Sequence, residues 1–428
     1  MEASTRPLRW LRLDNAALIF PAALRRHWSN AFRISFSFTE SVDPALLQQA
    51  LDRIAPRFPS MVVRLRRSAF WYYLEELPQA PAVQADVNRP LRTMSMREVQ
   101  RCAIRVLYYR DRIAVEFFHA VTDGTGGMVF AKSLAAEYLR LRHGLDIPCV
   151  KGVLNPDEAP RDGELADAFQ EHAGPLSAPR DDRKVFRLRG TTEPDRFLHQ
   201  TCGVLDSAAL HQGAKEKGVS VTAYLCALLL QSILEIQAAE QPRRTRRKNV
   251  RIQIPVNLRQ LYGGESLRNF VAVANIGVDP RLGDYSFDEL LHLVHHQMKL
   301  AITPKNMAAI FAPNVRDERN VLLKAVPLFI KNPIMRLVFD RIGESVSCLS
   351  FSNLGQLELP EEMQPLVRRA EFILGAQASA PYNASCLSCG GKTYLNVVRN
   401  CREPKLESRL FPTLVRQGFA VRVESNDR

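Results

Sequence analysis

A chain of 428 residues, 46% hydrophobic and 24% charged, has ordinary globular composition, which excludes a largely disordered polymer. At about 150 residues per domain, this length admits two related lobes or one large α/β unit. Lysine and arginine outnumber aspartate and glutamate by 58 to 45, and the formal charge of +13 suits an anionic partner: nucleic acid, an acidic carrier protein, a phosphate-bearing cofactor or a lipid surface.

Residues 32–38 alternate as a strand. Asp43 then offers an N-cap and Pro44 an N1 residue for a helix whose apolar stripe is Leu47, Ala50, Leu51 and Ile54. Residues 61–65 and 70–74 form a hairpin pair, as do residues 103–109 and 112–118, joined across Arg110 and Asp111. A helix over 125–141 places Phe130, Leu134, Tyr138 and Leu141 on one face. The composition then changes. Residues 156–195 are rich in Asp, Glu, Pro, Arg and Gly with little apolar periodicity, and predict a linker between an N-terminal lobe (1–155) and a C-terminal lobe (196–428).

After the linker, helices start at Ser207 and Ser220, and a strand runs over 250–256. The Ser220 segment is apolar but is broken by Gln231, Ser232 and Glu235, so it predicts a buried helix. Ser286 and Glu289 form a Ser-x-x-Glu capping box for a further helix. Strands follow near 346–351, 372–377 and 393–398, with a last helix after Glu403. No short-period repeat is visible, and eight scattered cysteines do not make a disulfide framework. The opening MEASTRPLRW lacks the apolar stretch of a signal peptide, so a reducing, cytoplasmic enzyme is expected.

The most informative stretch is Glu116-Phe-Phe-His119-Ala-Val-Thr-Asp123-Gly124-Thr-Gly-Gly127. His119 ends an apolar strand and Asp123 opens a helix, which sets an imidazole at a strand tip beside a carboxylate, as in a positioned general base. A strand-end histidine held by local hydrogen bonds, with Asp123 as a plain helix cap, has the same spacing. The residues alone leave both readings open. A phosphate cradle is disfavoured, because the loop has neither a Gly-Lys-Ser/Thr ending nor GxGxxG spacing.

His119-Ala-Val-Thr-Asp123-Gly124 matches an H-x-x-x-D-G signature, and three further motifs follow in order. They are Ile254-Pro-Val-Asn257-Leu-Arg259 with Leu267-Arg-Asn269-Phe270, then Ser352-Asn353-Leu-Gly355 closing at Pro360, then Pro381-Tyr-Asn before the Gly390-Gly391 turn. On these motifs, over roughly residues 5–420, the chain resembles the chloramphenicol acetyltransferase-like superfamily of CoA-dependent acyltransferases. It is most similar to bacterial alcohol acetyltransferase-type and stand-alone condensation-like proteins.

The resemblance implies an α/β fold of two lobes, each a mixed β-sheet with flanking helices, and an active-site tunnel between them. It implies acyl transfer from a thioester to an alcohol or amine, with acyl-CoA as co-substrate and no tightly bound cofactor or metal. His119 would be the general base, Asp123 and Gly124 would complete the catalytic motif, and Arg259 is the matching position for an arginine that pairs with Asp123 and supports the site. Asn257, Ser352, Asn353, Tyr382 and Asn383 lie on the motifs that line the tunnel. One position departs: condensation domains and wax-ester synthases carry two adjacent histidines, whereas Phe118 precedes His119 here. That disfavours condensation of two carrier-bound substrates, and no carrier or adenylation domain is expected on the chain. An acyl carrier protein as donor, and a catalytically silent binding or scaffold role, remain the rival readings.

Other signals point to bland roles. Cys386-Leu-Ser-Cys389 lacks a second ligand pair, and Cys401 alone does not complete a zinc site. His292 and His296 face away from the apolar side of their helix, with no Glu in the HExxH place. The basic run Arg243, Arg244, Arg246, Arg247 and Lys248 lacks interleaved aromatics, so a nucleic-acid partner is not expected. Residues 321–342 are apolar and basic, interrupted by Pro327 and Pro333. They predict a core helix pair or, alternatively, a flap in peripheral contact with a membrane.

Overall fold

Asp43 accepts hydrogen bonds from the Ala45 and Leu46 amides, so the helix Pro44–Ile54 starts at its cap and buries Leu47, Ala50, Leu51 and Ile54. The computed structural model describes residues 8–25, 28–177, 184–194, 197–340, 346–377 and 380–427. The two hairpins form as the alternation predicts, pairing Val63–Arg67 with Tyr72–Glu76 and Ile104–Tyr109 with Arg112–Phe118. The long helix Gly124–His143 ends at Gly144 in the left-handed conformation, where glycine has no Cβ to clash.

Two sheets organise the lobes. The N-terminal sheet has the order Val367–Leu374, Ala31–Phe38, Arg112–Phe118, Ile104–Tyr109, Gln84–Ala85. The C-terminal sheet has seven strands: Val271–Val278, Val250–Asn257, Leu349–Gln356, Tyr382–Cys389, Lys392–Arg399, His199–Asp206 and Arg422–Ser425. This sheet is mixed, since Leu349–Gln356 runs parallel to both neighbours while the other pairs are antiparallel. Helix Val221–Glu240 meets the length and apolarity of a membrane span, yet here it is the buried central helix of this lobe, with Ala223 to Leu230, Ile233 and Ile236 in the core.

The strand near 372–377 forms further upstream, as Val367–Leu374, and it crosses to pair antiparallel with Ala31–Phe38 of the N-terminal sheet. Alternation shows a strand but not its partner. Strand Tyr382–Cys389, legible in the sequence only as a tunnel motif, is buried on both faces and so gives no period of two. The linker segment is also more structured than its composition suggests. It holds the short helices Asp162–Leu165 and Phe169–His172. Arg57 donates to both oxygens of Glu164 at 2.5 and 2.7 Å, and the Phe169 ring packs edge-on against Phe270 and Phe311. Single buried anchors, not periodicity, tie this segment to both lobes.

Candidate active site

His119 follows the buried strand Arg112–Phe118, and its own amide donates to the Asn30 carbonyl at 2.9 Å. The chain then turns, and Asp123 caps the helix Gly124–His143 by accepting from the Thr125 and Gly126 amides at 3.0 and 3.1 Å. Its second oxygen points into the C-terminal lobe. There Asp123 Oδ2 accepts from Arg259 Nη1 and from the Phe270 amide, both at 2.8 Å. The carboxylate is 1% exposed, and among the described residues its hydrogen bonds go to Thr125, Gly126, Arg259 and Phe270, not to the imidazole. Arg259 spends its other donors on Asn257 Oδ1 (3.1 Å), the Ser266 carbonyl (2.7 Å) and the Arg268 carbonyl, so it fastens the 257–270 segment as well.

Gly126 is the glycine that this packing requires. A Cβ there would lie 2.1 Å from the Leu267 carbonyl oxygen and 2.3 Å from Thr122 Oγ1, and Thr122 donates to that same carbonyl at 2.7 Å. Over Gly124 the space is taken by the side chains of Leu354 and Phe372, at 2.9 and 3.5 Å from where a Cβ would stand. The motif glycines therefore serve close contact between the lobes.

A residue that the sequence places only within a motif holds the imidazole itself. Asn269 Oδ1 lies 3.0 Å from His119 Nδ1. Its Nδ2 donates to the His119 carbonyl at 3.0 Å and to Asp14 Oδ2 at 3.1 Å, so two acceptors fix which way the amide faces. The atom left for the ring is an oxygen, which can only accept. His119 Nδ1 must then carry the proton, and Nε2 keeps its lone pair. Asp14 is fully buried and is pushed up to about 6 by that burial, opposed by Arg268 at 3.8 Å and by Asn269. The signal for Asn269 was its place beside Phe270 in the second motif, Leu267-Arg-Asn269-Phe270; for Asp14, remote in sequence, there was none.

The ring sits against Phe20 (centroids 5.0 Å) and edge-on to Phe32 (5.2 Å). Burial holds the imidazole below its ordinary 6.5, while the Asp123 charge and the Asn269 hydrogen bond pull the other way. His119 nevertheless keeps part of its surface accessible. A partly open, neutral imidazole whose Nε2 has no hydrogen-bond partner among the described residues is a competent proton acceptor near neutrality.

The remaining tunnel candidates divide. Asn353 donates to Thr222 Oγ1 at 3.1 Å, accepts from the Gly355 amide at 2.8 Å, and lies on the strand whose Leu354 covers Gly124. Ser352 is its buried neighbour. Asn257 receives the Arg259 guanidinium. Tyr382 and Asn383 instead direct their polar atoms to main chain: the Tyr382 hydroxyl to the Glu403 carbonyl, and Asn383 to the Gly375 carbonyl and the Ser350 amide. Cys386 and Cys389 sit on one strand three residues apart, facing different cores, and burial raises them to about 12 and 11. Cys348 is likewise raised to about 12. Thiols so far from ionisation are poor nucleophiles.

The Asn269 contact predicts a kinetic effect. Asn269→Leu should lower kcat by at least about tenfold, the worth of ~1.4 kcal/mol at the barrier, through loss of the Nδ1–H tautomer. The Michaelis constant for the donor should stay within experimental error. A rise in that constant with unchanged kcat would make Asn269 a binding residue instead.

No family model matches the chain, and no curated protein matches it by sequence. Solved structures do. Polyketide synthase associated protein 5 from Mycobacterium tuberculosis aligns at 13% identity with a TM-score of 0.60, over 97% of this chain and 98% of that one. F. graminearum TRI101, solved with coenzyme A and deoxynivalenol, aligns at 10% identity and a TM-score of 0.61 over 98% and 100%. The starter condensation domain of rhizomide synthetase, in complex with C8-CoA, aligns at 12% identity and 0.60 over 95% and 94%. The chain shares the two-lobed fold of these structures, with mixed sheets and flanking helices.

Proposed function

We propose that this protein transfers an acyl group from a thioester, acyl-CoA in the first instance, to an alcohol or amine. The observation that carries the reading is the His119–Asn269 contact, which leaves Nε2 as a free base in a partly accessible, apolar setting. Similar folds solved with coenzyme A and with C8-CoA support the donor class.

In this mechanism Nε2 takes the proton from the acceptor O–H or N–H as that atom bonds to the thioester carbonyl carbon. The tetrahedral oxyanion collapses, the C–S bond breaks, and the thiolate recovers the proton from the imidazolium. No acyl-enzyme is formed. Asp123, engaged by Arg259 and the Phe270 amide, keeps the turn in shape and exchanges no proton with the ring. General-base assistance of this kind is worth about 10²–10⁴-fold.

Thiol release, measured with acyl-CoA donors of increasing chain length against a panel of alcohols and amines, tests the proposal. Acceptor-dependent release supports it. Release only from carrier-bound acyl groups would assign the donor to an acyl carrier protein, and no release from either donor would favour a binding or scaffold role. Intact mass after mixing with donor alone should show no acyl adduct.

A further inference from the structure

Helix Leu328–Val338 is built inside out. Leu328 is buried and Asn332 donates to the Tyr72 hydroxyl at 2.9 Å, so this edge faces the protein. At 3.6 residues per turn the opposite half carries Phe329, Ile330, Ile334, Leu337 and Val338. All five are exposed, from 41% at Val338 to 70% at Phe329. The preceding turn, Val321–Lys324, exposes Val321, Leu322 and Leu323. Beside the helix start, the Leu328 amide donates to the Ala69 carbonyl (2.9 Å) and Lys331 Nζ to the Phe70 carbonyl (3.0 Å). That hairpin tip adds exposed Phe70 and Trp71 to the same surface. Water gains nothing from such a face.

The charges on it have one sign. Residues 321–338 contain Lys324, Lys331 and Arg336 and no acidic residue. By helical position Lys331 and Arg336 border the apolar half on its two sides. We propose that this face, the Leu328–Val338 helix with the Phe70–Trp71 tip, docks on an anionic lipid bilayer. The apolar side chains would enter the headgroup boundary while Lys324 and Arg336 meet lipid phosphates.

A wide apolar face edged by lysine, arginine and tryptophan is the pattern of helices that lie in the bilayer interface. The core of a protein–protein interface is depleted of lysine by comparison. The chain's +13 charge adds long-range attraction to an anionic surface. The same helix packs beside Ile19–Ala23, whose Phe20 ring lies against His119 (centroids 5.0 Å), and Phe339 packs tilted against Trp28 (centroids 5.7 Å). Docking therefore puts the bilayer on the side of the fold from which Phe20 reaches the imidazole, with the Leu328–Val338 helix and Ile19–Ala23 between them. The proposal goes beyond acyl transfer and stands without it, because its test reads binding.

Flotation of the full chain with phosphatidylcholine vesicles, with and without phosphatidylglycerol, at low and high salt, is the experiment. Expected are binding to the anionic vesicles, weakening by salt, and quenching of tryptophan fluorescence by brominated acyl chains. Phe329→Gln with Leu337→Gln should lower binding by about tenfold with an unchanged melting temperature, both residues being exposed. Lys324→Glu with Arg336→Glu should remove the preference for anionic lipid, and decides the matter if the first variant does not fold. The proposal is overturned if no vesicle binds, or if both variants bind as the wild type does. It is also overturned if gel filtration shows a dimer that Phe329→Gln splits, which would assign the face to a second copy of the chain.

Discussion

His119→Ala should cut turnover by about 10²–10⁴-fold while leaving donor binding and melting temperature nearly unchanged. Among the described residues the side chain makes one polar contact, to Asn269, and otherwise lies against Phe20 and Phe32, so its removal leaves no charge stranded. The pH dependence follows from the burial that lowers its affinity for a proton. A base must be neutral to act, so kcat/KM should rise with pH on a single ionisation placed below 6.5 and then stay flat. Asn269→Leu should move that limb, whereas a change elsewhere in the fold should not. Wild-type turnover in His119→Ala, or a stable acyl adduct on mixing with donor alone, would remove the direct-transfer mechanism. Burial of Cys348 and Cys386, each raised to about 12, already weighs against a thiolate route.

The second large effect concerns the Asp123–Arg259 pair. Asp123 receives four donors, two from the helix it caps and two from the opposite lobe, and both partners are nearly desolvated, at 1% and 10% exposure. Arg259→Ala leaves the carboxylate buried with its cation gone, which costs roughly 3–5 kcal/mol. In Asp123→Asn the new NH2 would face either Arg259 and the Phe270 amide or the Thr125 and Gly126 amides, donor against donor in both cases. Stability and turnover should fall together in both variants, because the turn that presents His119 is held from the other lobe through this carboxylate. Calorimetry alongside the thiol-release assay checks it. Full turnover of Asp123→Asn at an unchanged melting temperature would leave the carboxylate without the structural role argued for it.

Local chemistry was legible in the sequence wherever a residue acts on its neighbours. The Asp43–Pro44 start, the stripe Leu47, Ala50, Leu51 and Ile54, and the Ser286–Glu289 capping box all form where short-range hydrogen bonding and the helical period dictate. The strand end at His119 and the cap at Asp123 were legible for the same reason. The resemblance supplied the two-lobed fold and the pairing position of Arg259, which spacing alone does not specify. What the sequence could not give was partnership across long separations. Val367–Leu374 reads as a strand, but only the assembled sheet shows it beside Ala31–Phe38. Asp14, Asn269 and His119 are far apart along the chain, yet their hydrogen bonds decide which ring nitrogen holds the proton. The apolar stretch 321–342 was open between core and surface, because periodicity shows that a helix has an apolar side and not which way it faces. Direction is set by what packs on the other side, and here Leu328 and Asn332 turned inward and left the apolar half outside.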